Sequence, residues 1–123
     1  MLINLSNHPS KLWQPEQYNI AIELYGEIED IPFPAINPKI DSEEVFTLAT
    51  EYFQKIKPVL ENNPHQKNAV HLMGELTFCF SLLKLLQEAK IDVIASTTAR
   101  DVKIDETGNK VSIFKFVRFR SYK

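Results

Sequence analysis

Three arginines, Arg100, Arg118 and Arg120, are the only ones in this chain of 123 residues, and all fall within its last 24. Arg100 closes the run Ser96-Thr97-Thr98-Ala99, and the other two sit in Phe116-Val117-Arg118-Phe119-Arg120-Ser121-Tyr122. Residues 100–123 carry seven basic groups against three acids, whereas the preceding 99 carry seven against thirteen. A chain with a net charge of −2 thus gathers its guanidiniums beside a row of hydroxyls. Guanidinium forks bind phosphate or carboxylate through two parallel hydrogen bonds, which a lysine does not do. The acidic balance elsewhere argues against a long nucleic acid, whose affinity rests on many phosphate contacts. It suits a small anionic ligand. The same pattern also arises in a strand whose arginines are simply solvated on its outer face.

Three further segments have the residue types to meet such a ligand: Ser6-Asn7-His8-Pro9, Gly74-Glu75-Leu76-Thr77 and Ser96-Thr97-Thr98. Each is small and polar directly after an apolar stretch. Gly74 and Thr77 place backbone N–H groups at the start of a helix, where phosphates bind. His8 is the candidate general base, because imidazole titrates near neutrality. Glu75 would be repelled by bound phosphates, so a contact to a sugar or a base suits it better. Singly, each of these residues is an ordinary turn or cap. His71, within an apolar segment, is expected to be a satisfied core histidine, and Cys79 a core thiol. The histidines show no metal-ligand spacing with one another or with Cys79, and no P-loop, dinucleotide fingerprint or Gly-x-Ser-x-Gly occurs. No metal and no cofactor are expected.

The elements that must position these residues can be traced along the chain. Residues 1–6 form a short buried strand, followed by turn chemistry at Ser6-Asn7-His8-Pro9-Ser10. Pro15 opens a helix with Ile20, Ala21 and Leu24 on its core face and Gly26 as its left-handed cap. Ile28 to Phe33 is an edge strand or loop, since Pro32 and Pro34 cannot donate to a ladder. Asp41 caps a second helix in a capping box with Glu44; it carries Val45, Leu48, Ala49, Tyr52, Phe53 and Ile56 on one stripe and ends near Pro58. Ala69 to Met73 is a third strand, and Glu75 to Lys90 a helix apolar on most of its surface. Residues 93–104 and 110–120 pair as a hairpin turning at Thr107-Gly108-Asn109.

Strands alternating with helices imply an α/β, Rossmann-like fold: a mainly parallel sheet flanked by helices, with an antiparallel C-terminal β-hairpin. The chain is expected to be one domain over residues 1–123, with ordinary apolar (44%) and charged (24%) fractions. The apolar run Leu76 to Leu86 is too short to span a bilayer, and Met1-Leu2-Ile3-Asn4-Leu5 lacks a basic leader, so no membrane association and a cytoplasmic location are expected. In strand order 2-1-3-4-5 the ligand crevice lies beyond the carboxyl ends of the first and third strands. The three polar segments converge there. The hairpin register places Arg118 across from Ser96 or Thr97, and a slip of one residue would turn the arginine to the other face.

Two parts of the sequence resemble a known group. Ala95-Ser96-Thr97-Thr98-Ala99-Arg100 with the terminal Phe116 to Tyr122, and the start Leu5-Ser6-Asn7-His8-Pro9-Ser10 followed by Pro15-Glu16-Gln17, resemble small stand-alone CRISPR-associated proteins of type III systems. Those proteins have a minimal Rossmann-like fold related to domains that sense cyclic oligoadenylate, and several are ring nucleases that linearise it. The resemblance implies binding of a cyclic oligoadenylate, cyclic tetra-adenylate being the candidate, and ring opening by metal-independent attack of a 2′-hydroxyl. It implies a two-fold homodimer matching the ring's symmetry. Within it, His8 and Arg118 would be catalytic, and Ser6, Asn7, Gly74, Glu75, Thr77, Ser96, Thr97, Thr98, Arg100 and Arg120 would bind the ligand. Serine directly precedes the histidine in the expected pattern, so the inserted Asn7 departs from it.

Two other functions fit the same residues. One is a module that sequesters the nucleotide without chemistry. The other is a small adaptor that docks a protein partner through the apolar helix and the basic hairpin.

Overall fold

A computed structural model describes residues 1–123. Its five strands are β1 (Leu2–Ser6), β2 (Ile28–Asp30), β3 (Ala69–Met73), β4 (Asp92–Ile104) and β5 (Lys110–Ser121). The helices are α1 (Pro15–Tyr25), α2 (Ser42–Glu61) and α3 (Leu76–Glu88), with a single 3-10 turn at Ser10–Leu12. The strands form one sheet in the order β2-β1-β3-β4-β5. All neighbours are parallel except β4 and β5, which pair antiparallel. This is the α/β, Rossmann-like architecture with a C-terminal hairpin that the alternation of strands and helices predicts.

Local chemistry explains the junctions. Asp41 accepts from the Glu44 N–H at 2.9 Å and so caps α2. Gly26 ends α1 at φ +84° and Gly108 shapes the hairpin turn at φ +85°, a region that favours glycine. In that turn the Asp105 carboxylate accepts from the N–H groups of Thr107 and Asn109, each at 2.9 Å.

Two element boundaries and the buried face of one helix depart from the sequence reading. The strand expected over Ile28 to Phe33 shortens to Ile28–Asp30, because Pro32 and Pro34 cannot extend the ladder. Helix α2 runs past Pro58 to Glu61, with Leu60 buried in the core, so packing holds one further turn after the proline. On α1 the buried stripe is Gln17, Ala21 and Tyr25, while Leu24 is 42% exposed. Propensity placed the helix; its rotation was set by what it packs against.

The two faces of the sheet are covered unequally, and this creates the site. One face carries a core of 13 buried residues, among them Ile3, Leu5, Val70 and Leu72, packed under Val45, Ile56, Phe78 and Leu82 of α2 and α3. The other carries a cluster of six, in which Leu2, Ala69 and Ile94 meet Trp13, Ala21 and Tyr25. One helix of 11 residues cannot cover what two longer ones cover opposite. The carboxyl ends of β1, β3 and β4 are therefore left open on the α1 side.

Candidate functional site

A cleft of about 580 Å³ occupies that opening. Its walls come from the β1 end (Ser6, Asn7, His8), the entry to α1 (Trp13, Gln14, Gln17), the β3 end (His71, Met73, Gly74) and the hairpin (Ser96, Thr98, Phe114, Phe116). The volume lies within the span of about 300–1,000 Å³ typical of small-molecule sites. None of these wall residues is acidic or carries a lysine or arginine charge.

The floor is a hydrogen-bonded chain of side chains from neighbouring strands. Asn4 and His71 are register partners on β1 and β3, and both point to the α1 side. Asn4 Nδ2 donates to Asp30 Oδ1 at 2.7 Å and to the His8 carbonyl at 2.9 Å. Asn4 Oδ1 accepts from Ser6 Oγ at 2.8 Å and lies 2.9 Å from His71 Nδ1. The His8 carbonyl also accepts from Trp13 Nε1 at 3.1 Å, which pins the loop after β1. His71 packs edge-on against Trp13 and Phe119, with ring centroids 5.2 and 5.8 Å away.

Electrostatics follow from this packing. Burial, and secondarily the nearby His8, push the His71 imidazole down to about 4. Burial raises Asp30, but hydrogen bonds from Ser10 and Asn4 outweigh it and hold the carboxyl below its ordinary value. The Cys79 thiol is pushed up to about 11 by burial and then by Glu75, which disfavours the thiolate.

Gln14 ties the hairpin to the cleft. Its Nε2 donates to the Phe114 carbonyl at 2.6 Å, and its Oε1 accepts from the Phe116 N–H at 2.8 Å. The amide thereby mimics a neighbouring strand along the outer edge of β5. Gly74 is required for a different reason: a Cβ there would run into the Phe33 ring, itself stacked edge-on against Phe78.

Of the residues proposed from sequence, Ser6, Asn7, His8, Gly74, Ser96 and Thr98 meet in this cleft. The others lie elsewhere. Thr97 pairs with Arg118, and Ala95 with Arg120, on the sheet face opposite Ser96 and Phe119. Arg100 pairs with Phe114 on the cleft's side but further out, its Nε and Nη2 donating to Ser112 Oγ at 3.1 and 2.9 Å. The amide cradle expected at the start of α3 is already filled. Glu75 caps the helix, its carboxylate accepting from the N–H groups of Thr77 and Phe78 and from Thr77 Oγ. Those bonds, the Phe78 one first, hold the Glu75 carboxyl below its ordinary value.

The floor residues Asn4, Asp30 and His71 were not singled out as site residues from sequence. A signal existed: Asn4, Ser6 and His71 are polar residues on one face of strands otherwise fully apolar. No three histidine, cysteine or carboxylate side chains converge as a metal-binding group, and no helix is long and apolar enough to cross a membrane.

Residues 1–120 match the family model described as "Uncharacterized protein MJ1673 family", and the chain belongs to that family. No curated protein and no solved structure shows significant similarity to it.

Proposed function

We propose that the cleft takes an adenosine unit of a cyclic oligoadenylate and that the chain opens the ring by metal-independent attack of a 2′-hydroxyl on the adjoining phosphodiester. The observation that carries this reading is the composition of the walls. Phe114 and Phe116 offer aromatic faces, while Asn7, Ser96 and Thr98 offer uncharged donors and acceptors above a floor that includes the buried Ser6, Trp13 and Gln17. Bases of flexible nucleotides are held by such stacking and by hydrogen bonds to their edges.

The reaction requires no protein nucleophile. The 2′-oxygen attacks phosphorus, its proton passes to a base, and the bond to the 5′-oxygen breaks as that oxygen takes a proton from water, leaving a 2′,3′-cyclic phosphate and a 5′-hydroxyl. Holding the ribose in line is the main demand. His8, in the cleft wall and on a loop pinned at its carbonyl, is the proposed base. The proposed assembly is a two-fold dimer. Leu76 and Phe80 on α3, 83% and 64% exposed, are apolar surface that such a contact would cover.

One observation favours a second reading, binding without cleavage: the walls supply no guanidinium or ammonium for a transition-state phosphoryl group. Incubation with cyclic tetra-adenylate, followed by mass spectrometry of protein-bound and free nucleotide, separates the two. A linear product ending in a 2′,3′-cyclic phosphate is expected. Intact ring bound at full occupancy establishes sequestration, and absence of binding removes both.

A further inference from the structure

His71 is 2% exposed, its Nε2 is the one buried side-chain nitrogen or oxygen without a hydrogen-bond partner, and the residue walls the cleft. Its protonation can be assigned from its neighbours. Asn4 Nδ2 faces two groups that can only accept, the Asp30 carboxylate and the His8 carbonyl. The amide cannot be turned over without setting its oxygen against both. Its Oδ1 must then be the atom facing His71, and a carbonyl oxygen only accepts. His71 Nδ1 therefore carries the hydrogen, and in the neutral ring Nε2 is left with a bare lone pair. Such an acceptor is costly to bury unpaired. With its imidazole lowered to about 4 by burial, the ring does not gain a second proton near neutrality.

We propose that Asp30, Asn4 and His71 form a relay that holds Nε2 of His71, buried in the free chain, as a fixed acceptor at the cleft floor, which receives a hydrogen bond from the exocyclic amine of a bound adenine when the Trp13 and Phe119 rings packed on it give way to the ligand. The proposal rests on the nucleotide reading above and adds what selects the base. A 6-oxo purine would set its own lone pairs against that of Nε2, and a site built for a hydrogen bond rejects the analogue that cannot make it. His71 is a specificity residue, and Asn4 and Asp30 are positioning residues acting through it.

The experiment compares cyclic tetra-adenylate with cyclic tetra-inosinate by calorimetry, alongside nitrogen NMR of the histidine rings. The parent chain is expected to show His71 as the Nδ1–H tautomer and to prefer adenylate by at least about ten-fold. His71→Phe keeps an aromatic ring against Trp13 and Phe119 and is expected to bring that ratio close to one. Asp30→Ala, which leaves the core untouched, is expected to mix the tautomers and reduce the preference. Asp30→Asn, which restores an acceptor for Asn4 Nδ2, is expected to recover it. Equal binding of the two rings by the parent, an Nε2–H tautomer, or a preference that survives in both His71→Phe and Asp30→Ala overturns the proposal. If neither ring binds, the nucleotide reading has failed and the adenine contact falls with it, while the NMR spectrum still decides whether the relay sets the tautomer.

Discussion

Phe116 and Phe119 place their rings 5.0 Å apart on the same face of β5, although strict alternation would put residues three apart on opposite faces. The cause is a register shift: Thr97 pairs with Arg118, but the adjacent Thr98 pairs with Phe116, which leaves Val117 as an extra residue. Both phenylalanines thereby reach the α1 side, one under His71 and one in the cleft wall. The same bulge leaves Arg118 on the opposite face.

This changes the ranking of the arginines. Sequence reasoning expects Arg118→Ala to cost more anion affinity than Arg100→Ala. With Arg100 on the cleft's side of the hairpin, the expected order is reversed. Arg100→Ala should weaken cyclic tetra-adenylate binding by roughly ten-fold, the worth of one charge-assisted contact, while Arg118→Ala stays within about two-fold. Calorimetry on both variants checks this. A larger loss at Arg118 would mean that the ligand is reached from the opposite face, as a partner copy could arrange.

What the sequence could and could not reveal follows from the range of each interaction. Asp41 as a cap and Gly26 and Gly108 at turns depend on residues a few positions apart and were legible, and the hairpin's register was legible to within one residue. The bulge at Val117 has no glycine or other local mark, so the faces beyond it could not be assigned. His71 is buried, as its apolar neighbours in sequence imply, but it is not the satisfied histidine expected there: Nδ1 meets Asn4, 67 positions away, and Nε2 has no partner. Glu75 was visible at a helix start, but only its geometry showed that the carboxylate occupies the amides an anion would use.

Glu75 therefore offers a direct test of competition between cap and ligand. Glu75→Ala removes the acceptor of the Thr77 and Phe78 N–H groups and should cost about 0.5–2 kcal/mol of stability, the usual range for losing an N-cap. The freed amides should at the same time bind phosphate more tightly than in the parent. Urea unfolding with and without inorganic phosphate measures both. A phosphate-independent midpoint in the variant would show that the start of α3 has no affinity for anions.

Stability should respond to pH through His71. Its imidazole titrates near 6.5 when unfolded and near 4 when folded, so between those values the unfolded chain binds more protons. Stability should accordingly rise with pH across that window, be complete above about 6.5, and lose about 3 kcal/mol by pH 4. Asp30 acts lower still: its carboxyl is held below 3.8 when folded, so its contribution is lost only as pH falls through that depressed value. Denaturant midpoints measured from pH 4 to 7 should slope in the parent and flatten in His71→Phe. A parent profile without slope would mean that His71 becomes protonated without unfolding the chain.

Catalysis, as proposed, places its proton transfer on His8. The side chain is exposed in the cleft wall and takes no part in the floor network, which uses only its backbone carbonyl and N–H. Substitution should then leave the relay and the fold intact. His8→Ala is expected to slow ring opening by roughly 10²–10⁴, the usual contribution of a positioned base, with affinity for cyclic tetra-adenylate nearly unchanged. Single-turnover rates with product analysis separate the two quantities. Ring opening at the parental rate in His8→Ala would leave in-line positioning of the ribose as the whole of the catalysis, and loss of activity in chelator would overturn the metal-independent mechanism.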